Sequence, residues 1–295
     1  MDLPDDRLSE RTALVTGGTS GLGAAVARRL ADRNASVAIV GRNRKRGRRV
    51  AADLRERTDG RVEFYRADLA SQSVVRELAA EFRARHDRLD LLVNGAGVFS
   101  SSRRLTEDGI EFTLAVNHLA PFLLTHELLS LLTAGASSRI VTVSSGLLER
   151  GEMDFSDLFF EENYDTMDAY ARSKLANVLF TAELSERLNG ESVTATAVNP
   201  GFVPETNLAR ESTLRNRVLL AAFSRLPVGF TRSLDEGTDS ILAAALDTDF
   251  GESTGVYVDS EEIRSASSVG DETTRRRLWD VSAGLVGISP DGYGR

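Results

Sequence analysis

Thr12-Ala13-Leu14-Val15-Thr16 runs straight into Gly17-Gly18-Thr19-Ser20-Gly21-Leu22-Gly23, and Leu22, Val26 and Leu30 then fall on one face of a helix over 21–33. A strand, a glycine turn and a helix in that order bring backbone N–H groups and the positive end of a helix to one point. Glycine permits the backbone angles of such a turn and the close approach of a ligand. A pyrophosphate fits that chemistry, with Gly17, Thr19, Ser20, Gly21, Leu22 and Gly23 as its candidate contacts. An ordinary strand-to-helix loop can carry the same glycines. The strand before and the helix after weigh for a dinucleotide.

Outward from this turn the pattern repeats. Short apolar runs at 12–16, 36–40, 62–66, 89–93, 139–144, 192–198 and 255–258 read as strands. Helical spacing occupies 43–57, 71–86 (capped by Ser71), 105–132, 169–188 and 234–246. Strands that read as unbroken apolar runs between helices imply a parallel sheet covered on both faces. Repeated βαβ units then imply an α/β, doubly wound, Rossmann-type fold. No linker divides the 295 residues and no internal repeat is present, so 1–295 is expected to form a single domain. Two stretches break the pattern. Residues 146–168 are polar and aromatic without a period and read as a loop. Residues 202–233 are helical in spacing but apolar around 218–223, and read as a substrate lid or a partner surface.

Composition excludes several classes. There is no cysteine, so disulfides, thiolate chemistry and cysteine metal sites are out. The histidines, His86, His118 and His126, lack ligand spacing, and no metal is expected. A net charge of −8 argues against nucleic acid, the basic run at 42–49 notwithstanding. No apolar stretch approaches the ~20 residues of a membrane span. The acidic, polar start of the chain reads as neither anchor nor secretory signal, which gives a cytoplasmic expectation.

Chemistry-bearing residues follow the turn in order. The second strand ends Val40-Gly41-Arg42. An acid there would bind the ribose of NAD, whereas an arginine suits the 2′-phosphate of NADP, so Arg42 points to NADP(H) rather than NAD(H). Asp68-Leu69 follows the third strand and Asn94-Gly95-Ala96-Gly97 the fourth. Ser144-Ser145 ends the fifth, and Asn199-Pro200-Gly201 the sixth. Asn117 interrupts a helical, apolar stretch where asparagine is a mediocre helix former. Tyr170-Ala171-Arg172-Ser173-Lys174 sets a phenol and an ammonium one helical turn apart. Lys174 is one of only two lysines, beside Lys45, in a chain that otherwise uses arginine. A tyrosine can act as acid/base near neutrality if its pKa falls from about 10, which takes roughly 4 kcal/mol, and a nearby cation can supply that.

In this order and spacing the motifs resemble the short-chain dehydrogenase/reductase family from Thr12 to about Ile288. Val116-Asn117-His118-Leu119 and the tail Gly255–Asp259 with Arg277–Ser282 resemble its retinol-dehydrogenase-like branch. The resemblance implies that Tyr170 is the acid/base and that Lys174 lowers its pKa and holds the nicotinamide ribose. It implies that Ser145 hydrogen-bonds the reacting oxygen, with Ser144 the fallback, and that Asn117 links a water to Lys174. The glycine turn would hold the pyrophosphate, Asp68 and Leu69 the adenine side, and Asn94, Gly95, Ala96 and Gly97 the cofactor along the sheet edge. Pro200 and Gly201 would lie under the nicotinamide, with Val203 and Thr206 at its carboxamide. Two departures stand out: Gly95 replaces the family's second asparagine, and Ser20 stands where NADP-preferring relatives often carry a basic residue. The implied activity is hydride transfer between NADP(H) and a lipophilic, apolar small molecule, an alcohol, aldehyde or ketone, by a homodimer or homotetramer. His118 reads as structural. Two other functions share parts of the pattern. One is a nucleotide-sugar epimerase or dehydratase, whose glycine spacing differs. The other is a non-catalytic NADP(H)-binding redox sensor, which commonly lacks the tyrosine or the lysine.

Overall fold

Successive residues of the first strand, β1 (Thr12–Thr16), go to opposite sides of the sheet. Leu14 packs with Ala38 and Val40 on one side, while Ala13 and Val15 pack with Val37 and Ile39 on the other. Because both faces are buried, the strands read as continuous apolar runs. In the computed structural model, which describes residues 8–206, 231–247, 253–259 and 262–291, one eight-stranded sheet organises the chain.

The remaining strands are β2 (Ser36–Gly41), β3 (Val62–Arg66), β4 (Leu91–Asn94), β5 (Ser138–Val143), β6 (Val193–Asn199), β7 (Val256–Asp259) and β8 (Glu262–Ser265). Their spatial order is β3-β2-β1-β4-β5-β6-β7-β8. All neighbours are parallel except the β7–β8 pair. The strand order reverses between β1 and β4, and in such sheets ligands bind beyond the carboxyl ends of the strands at that reversal. Helices α1 (Gly21–Ala31) and α2 (Arg44–Arg55) contribute to one apolar layer, and α3 (Gln72–Arg83) to the other.

The helical region expected over 105–132 has a different anatomy. Leu105 instead bridges Glu111 in an antiparallel pair, and the helix starts only at α4 (Phe112–Leu114). The cause is Glu111, a carboxylate only 1% exposed, which accepts from the N–H groups of Thr113 (2.9 Å) and Leu114 (2.8 Å). It thereby caps a helix that starts seven residues later than expected. A π-helical turn, Ala115–Leu119, follows, then α5 (Ala120–Glu127) and α6 (Leu129–Thr133). The long α7 (Thr166–Arg187) is capped by Asp165, and α8 (Leu234–Leu246) lies beside α1 in the same layer.

Two elements lie beyond what periodicity indicated. β8 has the polar sequence Glu-Ile-Arg-Ser and sits at the sheet edge with Ile263 exposed, so no core face marks it. Helix α9 (Glu272–Leu285) buries Trp279, whose ring stacks on Phe180 (6.0 Å) and meets Phe122 edge-on (4.9 Å). The lid or partner surface expected over 202–233 falls largely on 207–230, outside the described residues. Among the described residues, no helix is long and apolar enough to cross a membrane.

Candidate active site

The glycine turn closes on the end of β4. Gly17 has φ +70°, and a Cβ there would come within 3.0 Å of the Gly95 carbonyl oxygen and of Ala96 Cα. A Cβ at Gly23 would lie 2.6 Å from the Gly17 carbonyl oxygen. The turn therefore packs backbone against backbone, and methyl groups are excluded by contact. Thr16 clips the two segments together. Its hydroxyl donates to the Val93 carbonyl (3.3 Å) and accepts from the N–H groups of Gly95 (3.1 Å) and Ala96 (3.2 Å). Sequence reading passed over this role. Its one signal is a threonine as the last strand residue before the glycines. The Asn94 side chain is turned into the fold, with Nδ2 3.4 Å from the hydroxyls of both Thr125 and Thr142, so the segment 94–97 presents mainly backbone at the sheet edge.

Helix α1 starts unlike the other long helices. Asn43, Ser71, Asp165, Ser233 and Asp271 each accept a backbone N–H at the starts of α2, α3, α7, α8 and α9. Ser20 stands at the same position of α1, yet its side chain makes no cap bond, and the first turn holds no acid. The first N–H groups and the helix dipole are thus left to an external anion. A dinucleotide pyrophosphate fits this cradle. At the end of β2 a Cβ on Gly41 would lie 2.6 Å from the Thr19 hydroxyl, so any side chain there would have to displace that of Thr19; half-buried Arg42 comes next. Asp68 is exposed at the end of β3, its carboxylate accepting the Ala70 N–H (3.2 Å), and Leu69 is buried. Pro200 and Val203 are buried after β6, and Gly201 has φ +79°. Thr206 lies over the glycine turn, since a Cβ on Gly21 would be 3.4 Å from its methyl group.

The reactive groups converge where β5 ends against α7. Tyr170 and Lys174 are both buried, and the Lys174 ammonium is 5.5 Å from the Tyr170 ring centre. Phe99 packs edge-on against Tyr170 at 5.4 Å. Burial pushes the phenol above its ordinary pKa, and the Ser145 hydroxyl, as hydrogen-bond partner, pulls the other way. Burial also brings Lys174 down to about 8. Its ammonium donates to the Val143 carbonyl (2.9 Å). The two serines separate cleanly. Ser144 is buried and donates to the Lys174 carbonyl (2.8 Å), holding strand to helix. Ser145 is half-buried, accepts from the Leu147 N–H (3.3 Å) and faces the phenol.

Asn117 lies at the centre of the π-helical turn, a distortion that often marks functional sites. Its amide oxygen accepts from Val98 N–H (2.8 Å), and its nitrogen donates to the Val98 carbonyl and the Ser173 hydroxyl, both at 3.0 Å. It therefore joins the segment after β4 to α7, one residue before Lys174. Asn177, which sequence reading missed, donates to the same Val143 carbonyl as Lys174 (3.3 Å). Nothing but its spacing three residues after Lys174 hinted at this. His118 is fully enclosed, with Nε2 2.9 Å from the Ser282 hydroxyl, and burial lowers its pKa to about 4. It is a neutral ring joining the π-helical turn to α9. Among the described residues, no group of three acidic or histidine side chains could hold a metal ion.

Residues 11–217 match the short chain dehydrogenase family. Mouse retinol dehydrogenase 14 is 40% identical over 292 residues, covering 94% of this chain and 86% of that protein. Human retinol dehydrogenase 12 is 37% identical over 284 residues, covering 96% and 88%. Among solved structures, an uncharacterised protein from Mycobacterium paratuberculosis superposes with a TM-score of 0.76 at 32% identity, covering 98% of this chain and 97% of that one. A short chain dehydrogenase from Burkholderia cenocepacia, solved in complex with NADP, superposes with a TM-score of 0.69 at 28% identity, covering 86% and 97%. With its glycine cradle, its Tyr170–Lys174 pair and these relatives, the chain belongs to the short-chain dehydrogenase/reductase family, in its retinol-dehydrogenase-like branch, and is an oxidoreductase of alcohol or carbonyl groups.

Proposed function

We propose that the protein transfers a hydride between NADP(H) and a lipophilic alcohol, aldehyde or ketone, with Tyr170 as the acid/base. The observation that carries the reading is the buried Tyr170 phenol partnered by the Ser145 hydroxyl, with the Lys174 ammonium one helical turn away. NADP(H), when bound, supplies or takes up the hydride. The uncapped start of α1 and the backbone of Gly17 and Thr19–Gly23 would hold its pyrophosphate. Arg42 would hold the 2′-phosphate, with Asp68 and Leu69 on the adenine side. The segment 94–97 would line the sheet edge, and Pro200, Gly201, Val203 and Thr206 the nicotinamide side.

Carbonyl reduction leaves an alkoxide that needs a proton. Burial keeps Tyr170 protonated, which is the form an acid requires. Ser145, whose oxygen accepts the Leu147 N–H, would turn its one hydroxyl hydrogen from the phenol to the substrate oxygen. Lys174 sets a positive charge beside the phenol and stabilises the phenolate left after proton transfer. Asn117 braces α7 against the segment after β4 while this happens. In oxidation the same groups run in reverse, and Tyr170 must first give up its proton.

NADP(H) as the cofactor is supported by the crowding at Gly41, by the adjacent Arg42 and by the NADP complex of the Burkholderia relative. A lipophilic substrate is supported by relatives named for retinol. Titration with NADPH and with NADH, followed by nicotinamide fluorescence, is expected to show NADPH binding at least about tenfold tighter, the weight of one charge-assisted contact. Reduction of all-trans-retinal and of nonanal in the presence of NADPH tests the substrate class. Equal binding of NADH would overturn the cofactor assignment. A protein that binds NADPH but reduces neither aldehyde would overturn the substrate class.

A further inference from the structure

Helix α7 carries a second buried cation that this chemistry leaves unused. Arg172 lies midway between Tyr170 and Lys174. At about 100° per residue it leaves the helix on the opposite side. It is 7% exposed, and among the described residues it forms no ion pair. Its Nε donates to the Glu152 carbonyl (2.8 Å) and its Nη1 to the Asp157 carbonyl (2.6 Å). The guanidinium centre lies 3.8 Å from the centre of the Phe160 ring. The carboxylates of Asp154, Asp157, Glu152 and Asp168 act on it only from longer range, and burial dominates its environment. A buried charge is costly unless its donors are satisfied. Here Nε and Nη1 meet main-chain carbonyls of one segment, through a planar fork that reaches two acceptors and stacks on a ring at once.

That segment is the strap, residues 151–165, which leads from the turn after Ser145 to the cap of α7. It is fastened along its length. Gly151 lies so close to the Ala171 carbonyl that a Cβ would approach it to 2.7 Å. Arg103 donates to the Phe159 carbonyl (2.9 Å). The Tyr164 hydroxyl is 3.3 Å from both the Ser100 carbonyl and the buried Glu111 carboxylate. Phe160 adopts φ +53°, a left-handed conformation that a bulky residue holds only when its surroundings impose it. The Arg172 guanidinium is stacked on that ring. The strap's apolar side chains also point inward: Met153 and Phe155 pack with α7 and α9, and Phe159 packs on the main core.

We infer that Arg172 is a positioning residue that fastens the 151–165 strap to the catalytic helix and so sets Ser145 and the turn after it against Tyr170. The inference rests on the roles assigned above to Ser145 and Tyr170. Its test uses Arg172→Met, Arg172→Lys and Phe160→Leu in the full chain. NADPH binding is measured by fluorescence and kcat and KM with all-trans-retinal or nonanal. Hydrogen exchange of the 151–164 amides gives a readout independent of turnover. Arg172→Met is expected to lower kcat/KM for the aldehyde at least tenfold, with NADPH binding within twofold of the parent and faster exchange confined to the strap. Arg172→Lys keeps the charge but cannot span both carbonyls, and should stay close to the Met variant. Phe160→Leu keeps the carbonyl bonds and loses only the stack, for an effect of two- to threefold. Unchanged kcat/KM per NADPH-binding site in Arg172→Met, whatever its melting temperature, would overturn the inference. So would loss of NADPH binding in both Arg172 variants, because the arginine would then support the whole fold. A parent protein that binds NADPH but reduces no aldehyde defeats the functional reading instead, and strap exchange in the variants still decides the role of Arg172.

Discussion

The glycine turn over 17–23 and the strap over 151–165 are built by opposite means. The turn is defined by what is missing. Cβ atoms at Gly17 and Gly23 would strike backbone, and the start of α1 lacks the side-chain cap found on the other long helices. The strap is defined by side-chain ties, namely guanidinium groups that reach in to its carbonyls and its own Tyr164 phenol that reaches out to a buried carboxylate. A binding turn for a constant group can be made from backbone alone, since backbone presents the same N–H groups whatever the side chains. A segment without helix or strand must have its carbonyls satisfied from outside, and the side chains that do so also set its shape. Adding a methyl group should break the first region, and deleting a side chain the second.

The largest expected effect separates chemistry from binding. Tyr170→Phe should lower aldehyde turnover by about 10²–10⁴-fold, the usual worth of a general acid, with NADPH affinity retained. A comparable loss of NADPH affinity would mean that the two sides are not separable. Gly23→Ala is the converse. Its Cβ would lie 2.6 Å from the Gly17 carbonyl oxygen, and a strain of roughly 1–3 kcal/mol should weaken NADPH about tenfold to a hundredfold while hydrogen exchange in the strap stays as in the parent. Arg42→Ala sharpens the cofactor side further. A charge-assisted hydrogen bond is worth about 1.5–3 kcal/mol, so NADPH should weaken at least about tenfold and NADH hardly at all.

The smallest effect is a pH dependence. Burial holds Lys174 near 8, below its ordinary 10.5, so the ammonium is present below that pH and is lost as pH rises through it. The kcat/KM for NADPH, which reports the free enzyme, should fall on the alkaline side with an apparent pKa near 8. Stability should move the other way. Between about 8 and 10.5 the unfolded chain holds the lysine proton that the folded chain has released, and stability rises with pH wherever the unfolded state binds more protons. A flat NADPH profile from pH 7 to 9.5 would show that Lys174 charge does not serve the free enzyme.

Legibility followed the same division. The strands were readable because burial on both faces turns them into apolar runs, and the Tyr170–Lys174 pair because helical spacing alone puts the two on one face. The late start of α4 was not readable, since it depends on Glu111, a carboxylate whose burial no local pattern announces. Strand β8 was missed because an edge strand needs no apolar face. Arg172 stood in plain view between Tyr170 and Lys174, in a chain full of arginines, with nothing to mark it as buried.

From the sequence by itself came the doubly wound sheet, the glycine turn and the spacing that pairs Tyr170 with Lys174. Each rests on rules that act between residues near in the chain: the period of burial, the backbone freedom of glycine and the pitch of a helix. Only the tertiary structure decided which of Ser144 and Ser145 faces the phenol, where Thr16 and Asn177 spend their hydrogen bonds and what Arg172 holds. A buried polar group must find its partner wherever the fold brings one within about 3 Å, and that partner can be any distance away in the chain.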